Sequence, residues 1–167
     1  MRGDDFAELY RRYLPRVLNY MRLRVDDEPL AQDLTAATFE RAFAKRRQLR
    51  DPDAFAAWLF RIARNELGQH YRRRSRRGAH APLEAAFSVP DSDPLPEEEA
   101  ARRQELAELL VAVAELSERE QEIIGLRFVA GLTNRAIARV LRLSEGNVAV
   151  ILYRAMRKLR DRLTEGA

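Results

Sequence analysis

Residues 116–160 read LSEREQEIIGLRFVAGLTNRAIARVLRLSEGNVAVILYRAMRKLR, three helical stretches separated by two short breaks. Ser117-Glu118-Arg119-Glu120 is a capping box, in which the serine oxygen and the glutamate carboxylate each satisfy an end N–H of the helix that follows. That helix carries Ile123, Ile124, Leu126, Arg127 and Phe128 and stops at Ala130-Gly131, where Gly131 suits the left-handed position past a helix end. Thr133 is placed to cap the next helix, which runs through Ile137, Val140 and Leu141. A turn around Arg142-Leu143 leads to Ser144, a good N-cap for the last helix. There Val148, Leu152, Ala155, Met156 and Leu159 recur at helical spacing and form one apolar face. Two short helices joined by a tight turn make a helix-turn-helix pattern, and the second helix of such a pair can enter the major groove of DNA. A plain helical hairpin inside a bundle fits the same periodicity.

Upstream of this segment the chain also reads as helix. Phe6, Leu9, Tyr10, Tyr13, Leu14, Val17, Leu18 and Met21 form one stripe within residues 5–25, and Pro15 predicts a kink or a new first turn there. A second helix follows Pro29 through LAQDLTAATFERAFAKRR, with Leu30, Leu34, Ala37, Phe39 and Phe43 as its apolar positions. Asp51-Pro52, a capping residue and a first-turn proline, opens a third, DAFAAWLFRIARNELGQHYRRR. Phe55, Trp58, Leu59 and Ile62 face one way on it, so Trp58 is expected in the core, while Phe60 lies off that stripe. No stretch alternates with period two for long enough to be a strand. The expected fold class is all-α.

The 167 residues allow one ordinary domain or two small ones. Charge is arranged in blocks, with a net of +7 over residues 1–77, −6 over 78–101 and +3 over 102–167. The acidic block, GAHAPLEAAFSVPDSDPLPEEEAA, holds Pro82, Pro90, Pro94 and Pro96 and lacks a period, so it reads as a flexible linker. The division is therefore an N-terminal unit over 1–77, a linker over 78–101 and a C-terminal unit over 102–167. Both units are small enough that each should gain stability from a partner. With 34% charged and 46% apolar residues the chain is neither disordered nor a membrane protein, and no run approaches the length of a span. It has no cysteine, and its two histidines, His70 and His80, lack companions at metal-ligand spacing, so no metal or other cofactor is expected. No phosphate-binding glycine loop or paired nucleophile points to an enzyme. The charged first residues, MRGDDFAELYRRY, do not form a secretory leader, and a cytoplasmic protein is expected.

The segment 116–160 resembles region four of the extracytoplasmic-function (ECF) sigma factors, and it is also similar to the DNA-binding domain of LuxR-type regulators. The latter would carry an alternating β/α receiver in front, or some other protein-binding N-terminal domain on a stand-alone regulator. Here FAELYRRYLPRVLNYM, AQDLTAATFERAF and DAFAAWLFRIARNELGQHYRRR resemble, in order, region two of the sigma-factor group. The chain is thus identified as resembling an ECF, or group-four, sigma factor. The resemblance implies a subunit that binds core RNA polymerase, recognises the minus-35 and minus-ten elements of a promoter and helps to melt it. The partners it implies are the coiled coil of the largest polymerase subunit, the flap of the second-largest, promoter DNA and an anti-sigma factor.

Site residues follow from the same resemblance. Asp33, Leu34, Thr35, Phe39 and Arg41 match the polymerase-docking segment, although Leu34 and Phe39 also suit a core. Region two holds an extruded base, which a duplex otherwise hides in its stack. Arg47, Gln48, Arg50 and Asp53 match the loop of that pocket, and Arg61, Arg64 and Asn65 line the helix after it. Arg72, Arg73 and Arg74, followed by Arg76 and Arg77, suit phosphate contacts or a solvated helix end. On the recognition helix, Ser144, Glu145, Asn147 and Arg154 are the polar candidates. Members of the group often have Lys or Arg after the valine, where this chain has Ala149, Val150 and Ile151. These either read thymine methyl groups or pack on a partner. Many relatives have glycine between the two helices, where this chain has Arg142. In the linker Asp91, Asp93, Glu97, Glu98 and Glu99 would occupy a basic polymerase channel, or serve as a solvated tether.

Overall fold

The computed structural model describes residues 3–76 and 96–165, which are helical throughout apart from short turns. In chain order the helices are α1 (Gly3–Arg24), α2 (Glu28–Lys45), α3 (Phe55–Arg76), α4 (Glu97–Ala114), α5 (Glu118–Ile124), α6 (Asn134–Leu141) and α7 (Glu145–Glu165). Two 3₁₀ turns, Arg46–Gln48 and Pro52–Ala54, connect α2 to α3, and α5 runs on into a π turn over Gly125–Val129.

Local chemistry accounts for most of these limits. Asp27 caps α2, its carboxylate accepting from the Leu30 N–H at 3.2 Å, and Asp51 does the same for Asp53 at 3.0 Å. At Pro15 the helix does not restart: α1 is continuous. Pro15 lies on the exposed side, so the Arg11 carbonyl it leaves without a donor is within reach of water. Helix α4 begins within the segment expected as linker. Residues 78–95, with Asp91 and Asp93, lie outside the described residues, but Glu97, Glu98 and Glu99 form the first turn of α4. Pro96 stands at the N-cap, and three carboxylates complement the positive end of the new helix dipole.

The turn signals in the C-terminal half do what their chemistry predicts. The Ser117–Glu120 capping box is complete, with bonds of 3.2 and 3.0 Å. Thr133 accepts from the Ala136 N–H and Ser144 from the Asn147 N–H, both at 3.1 Å. Gly131 has φ +70°, the left-handed position expected of it. Arg142 closes α6 at φ 56° and ψ 46°. Its geometry is that of a glycine C-cap, with the Leu143 N–H reaching back to the Ala138 carbonyl at 3.0 Å.

Packing begins with α1, α2 and α3. Val17, Tyr20, Met21, Leu59 and Phe60 are fully buried among them. Edge-on ring pairs, Tyr10 with Phe39 and Tyr20 with Phe60, lock α1 to α2 and to α3. Phe60, off the sequence stripe, is thus core, and Trp58 is half-buried against it. Ala112, Val113, Leu116, Ile124, Ala155 and Leu159 form a second, smaller cluster between α4, α5 and α7. The larger cluster does not end at the first unit. Ile123, Leu126, Ala130, Leu132, Ile137, Val140 and Val148 are buried in it together with side chains of α1 and α3. Fully burying each Ile or Leu contributes about 1.5–3 kcal/mol. In this structure the larger apolar cluster joins the N-terminal helices to the helix-turn-helix.

Candidate nucleic-acid interface

Helix α3 carries the densest set of basic groups. Arg61, Asn65, Arg72 and Arg73 are exposed on it, with Arg64 and Arg74 half-exposed. Arg47, Gln48, Arg50 and Asp53 stand exposed on the loop before it. The helix-turn-helix covers part of this face. Arg61 donates to the Arg139 carbonyl of α6 at 2.9 Å, and Arg64 donates to Glu122 of α5 at 2.5 Å. Arg61, Arg64 and Asn65 line a cleft of about 220 Å³ together with Val140, Leu141 and Arg142. Arg77 lies outside the described residues.

Helix α7, the second of the helix-turn-helix, presents the opposite situation. Glu145, Asn147, Ala149, Val150 and Arg154 are exposed along α7, and Ser144 is exposed while its hydroxyl is committed to the cap. Ile151 is the exception: it is half-buried and packs against the core, because it falls on the inner side next to Leu152. Of the three apolar positions, Ala149 and Val150 alone face outward. Tyr153, which the sequence reading passed over, is 69% exposed, and Arg157 lies beyond it. Val150, Tyr153, Arg154 and Arg157 share one face of α7 by their i, i+3, i+4, i+7 spacing. An aromatic residue off the apolar stripe was the signal that could have identified Tyr153.

On α2 the five docking candidates divide. Asp33 is exposed, as is Arg41, whose guanidinium stands 2.8 Å from Glu66 Oε1 of α3, out of line for a hydrogen bond. Leu34 and Phe39 are buried core residues. Thr35 is also buried, its hydroxyl donating to the Ala31 carbonyl at 2.7 Å. A β-branched hydroxyl residue can enter a core when it bonds back to the preceding turn.

Several polar groups are set in unusual surroundings, two of them, Tyr20 and Tyr71, where α1, α3 and α5 join. Tyr20 is fully buried and its hydroxyl has no hydrogen-bond partner in the structure. Burial pushes its pKa up to about 12, against the pull of Arg24, so the phenol stays protonated. Tyr71 donates to the Arg24 carbonyl, and burial likewise raises its pKa. Desolvation, with Arg74 and Arg73 nearby, lowers that of His70. Burial opposes the charge on Glu120, but bonds from Lys158 and Ser117 outweigh it and hold its carboxyl below the usual range. Among the described residues no cluster of three or more metal-ligating side chains occurs, and no helix is long and apolar enough to cross a membrane.

The family description Sigma-70 region 2 matches residues 9–77, and Sigma-70, region 4 matches residues 112–161. The ECF RNA polymerase sigma factor BldN of Streptomyces coelicolor is 34% identical over 99% of this chain and 62% of its own length. The RNA polymerase sigma factor CarQ of Myxococcus xanthus is 30% identical over 97% of this chain and 91% of its own. This chain thus spans less than two thirds of BldN but nearly all of CarQ. CnrH, solved in complex with the cytosolic domain of CnrY, has a TM-score of 0.70 at 26% identity, covering 99% of this chain and 92% of that one. The sigma factor RpoE of Bartonella quintana, solved with the anti-sigma factor NepR, shares the fold, with a TM-score of 0.75 at 23% identity over 96% and 97% of the two chains.

Proposed function

The chain belongs to the ECF RNA polymerase sigma factors of the sigma-70 family, and on that footing we propose that it is a promoter-specificity subunit of RNA polymerase. It binds the core enzyme, recognises minus-35 and minus-ten elements and helps to open the promoter. The observation that carries this reading is the division of the surface. One exposed face of α7, with Asn147, Val150, Tyr153 and Arg154, begins at the capped second helix of a helix-turn-helix, while an arginine-rich α3 lies on the other unit. The α7 face suits the major groove of the minus-35 element, with Ala149 and Val150 against thymine methyls and Asn147 and Arg154 against polar base edges or phosphates.

Arg47, Gln48, Arg50, Asp53, Arg61, Arg64 and Asn65 suit the melted minus-ten strand, and Arg72, Arg73 and Arg74 suit its phosphates. Asp33 and Arg41 on the outer face of α2 form the contact with the polymerase coiled coil, and the second unit contacts the flap. An anti-sigma factor is the natural inhibitor, since two solved relatives with this fold are held by partner proteins. The chain works in the cytoplasm, by binding and without a catalytic centre of its own.

Electrophoretic mobility with a promoter duplex tests the reading. Two weak modules gain affinity only when a third body holds them in register. The protein alone should bind poorly and should bind tightly with core polymerase. Tight binding alone, unchanged by polymerase and with a steep salt slope, would identify a stand-alone regulator instead.

A further inference from the structure

A cavity of about 210 Å³ lies where α1, α3 and α5 meet, and its wall includes Tyr20, Arg24, Arg64, Tyr71, Arg72 and Glu122. Its polar groups do not balance. Three guanidinium groups face one carboxylate, and neither Arg24 nor Arg72 is within ion-pair distance of an acid among the described residues. The Nε of Arg24 is buried without a partner, and so is the Tyr20 hydroxyl. Buried polar atoms are rarely left unbonded, and two such donors beside one cavity require an acceptor. Guanidinium forks and a phenol donor form the set that grips the oxygens of a phosphate.

Of the wall residues the one acid arrives from the other unit, while Asp26 and Glu118 lie near enough to Tyr71 to add to the rise in its pKa that burial causes. Glu122 sits on α5, 58 positions from Arg64 in sequence, and is 8% exposed; its Oε1 accepts from the Arg64 Nε at 2.5 Å. Its second oxygen is 4.0 Å from Arg119 and touches neither Arg24 nor Arg72. The carboxylate therefore satisfies one arginine of three.

We propose that this cavity is a phosphate-binding site in which Glu122 stands in for the phosphate, so that nucleic-acid strand binding and packing of the helix-turn-helix on α3 compete for Arg64. The ligand chemistry is a phosphate group, carried by a single DNA strand. The inference rests on the reading of α3 as a DNA-contacting helix and adds Tyr20 and Arg24, which lie on α1, to it. A phosphate entering the cavity displaces Glu122, and with it the Arg61–Arg139 bond loses its support, so strand binding loosens the two units from each other. Conversely, the packed form holds the arginines back from non-specific DNA.

The test uses the full chain with a fluorescent twelve-nucleotide thymidine strand and, separately, inorganic pyrophosphate. Glu122→Gln removes the competing charge and should tighten strand binding about tenfold, the order expected for one charge-assisted bond. Tyr20→Phe removes only the unpartnered hydroxyl, so the thermal midpoint should hold or rise while strand affinity falls about fivefold. Arg72→Gln, at an exposed position that leaves the core intact, should weaken binding as well. A hydroxyl with a structural role alone would leave affinity unchanged. If Tyr20→Phe weakens pyrophosphate but not the strand, the site stands and the strand as its ligand is overturned. If none of the three variants moves either affinity, the site itself is overturned. Transcription with core polymerase, measured on the same wild-type preparation, tests the sigma-factor reading separately.

Discussion

Replacing Arg142 with glycine should make this protein more stable, although it removes a long side chain. Arg142 holds φ 56°, where the Cβ of any L-residue crowds its own backbone. That conformation costs about 1–2 kcal/mol for a residue with a side chain. Glycine adopts it freely but loses more backbone freedom on folding, which offsets about 0.5–1 kcal/mol. The balance is a gain of about 0.5–1 kcal/mol. For a chain of this size each kcal/mol moves the midpoint by roughly 2–4 °C, so Arg142→Gly should raise it by about 1–4 °C. The side chain is exposed, so little packing is lost. Urea unfolding followed by helical circular dichroism measures the effect, with Arg142→Ala as the control that keeps the Cβ and hence the strain. The reasoning fails if Arg142→Gly is no more stable than wild type, or if Arg142→Ala gains as much.

Further outcomes follow from other contacts. Because the fold lowers the pKa of His70, the unfolded chain takes up its proton first on acidification. The contribution of His70 is complete above its unfolded pKa of about 6.5 and is lost as pH falls through the lower folded value. His70→Gln should therefore flatten the pH dependence of the urea midpoint just below pH 6.5, and an unchanged slope would contradict this. Ser117→Ala breaks the capping box and should cost about 1 kcal/mol in the same assay. Phe60→Ala should cost about 3–5 kcal/mol from a fully buried site, whereas Tyr153→Ala should stay within about 0.5 kcal/mol and weaken duplex binding measured with core polymerase present. Ile137→Ala should destabilise both units together in one transition, since its side chain belongs to the shared core.

Features set by neighbouring residues were legible in the sequence. Ser117, Thr133 and Ser144 each bond to N–H groups within three positions, and Gly131 answers to its own φ, so the helix-turn-helix could be drawn from residue types alone. The substitution of glycine by Arg142 was equally plain, and the left-handed φ there is its structural meaning. Features set by distant residues were not legible. Phe60 is core because α1 brings Tyr20 against it from 40 positions away. Arg61 and Arg64 are partly covered because the second unit docks on the first. The cavity at Tyr20 needs three helices from both units and leaves no local trace.

Run-off transcription tests the central claim most directly: purified core RNA polymerase on a fragmented genomic library, with and without this protein. The account predicts new starts that depend on the protein and share a pair of upstream elements. It also predicts that Val150→Ala and Tyr153→Ala weaken the selection of the upstream element while leaving the downstream one in place. No protein-dependent start with any competent core enzyme, together with tight duplex binding by the protein alone, would contradict it.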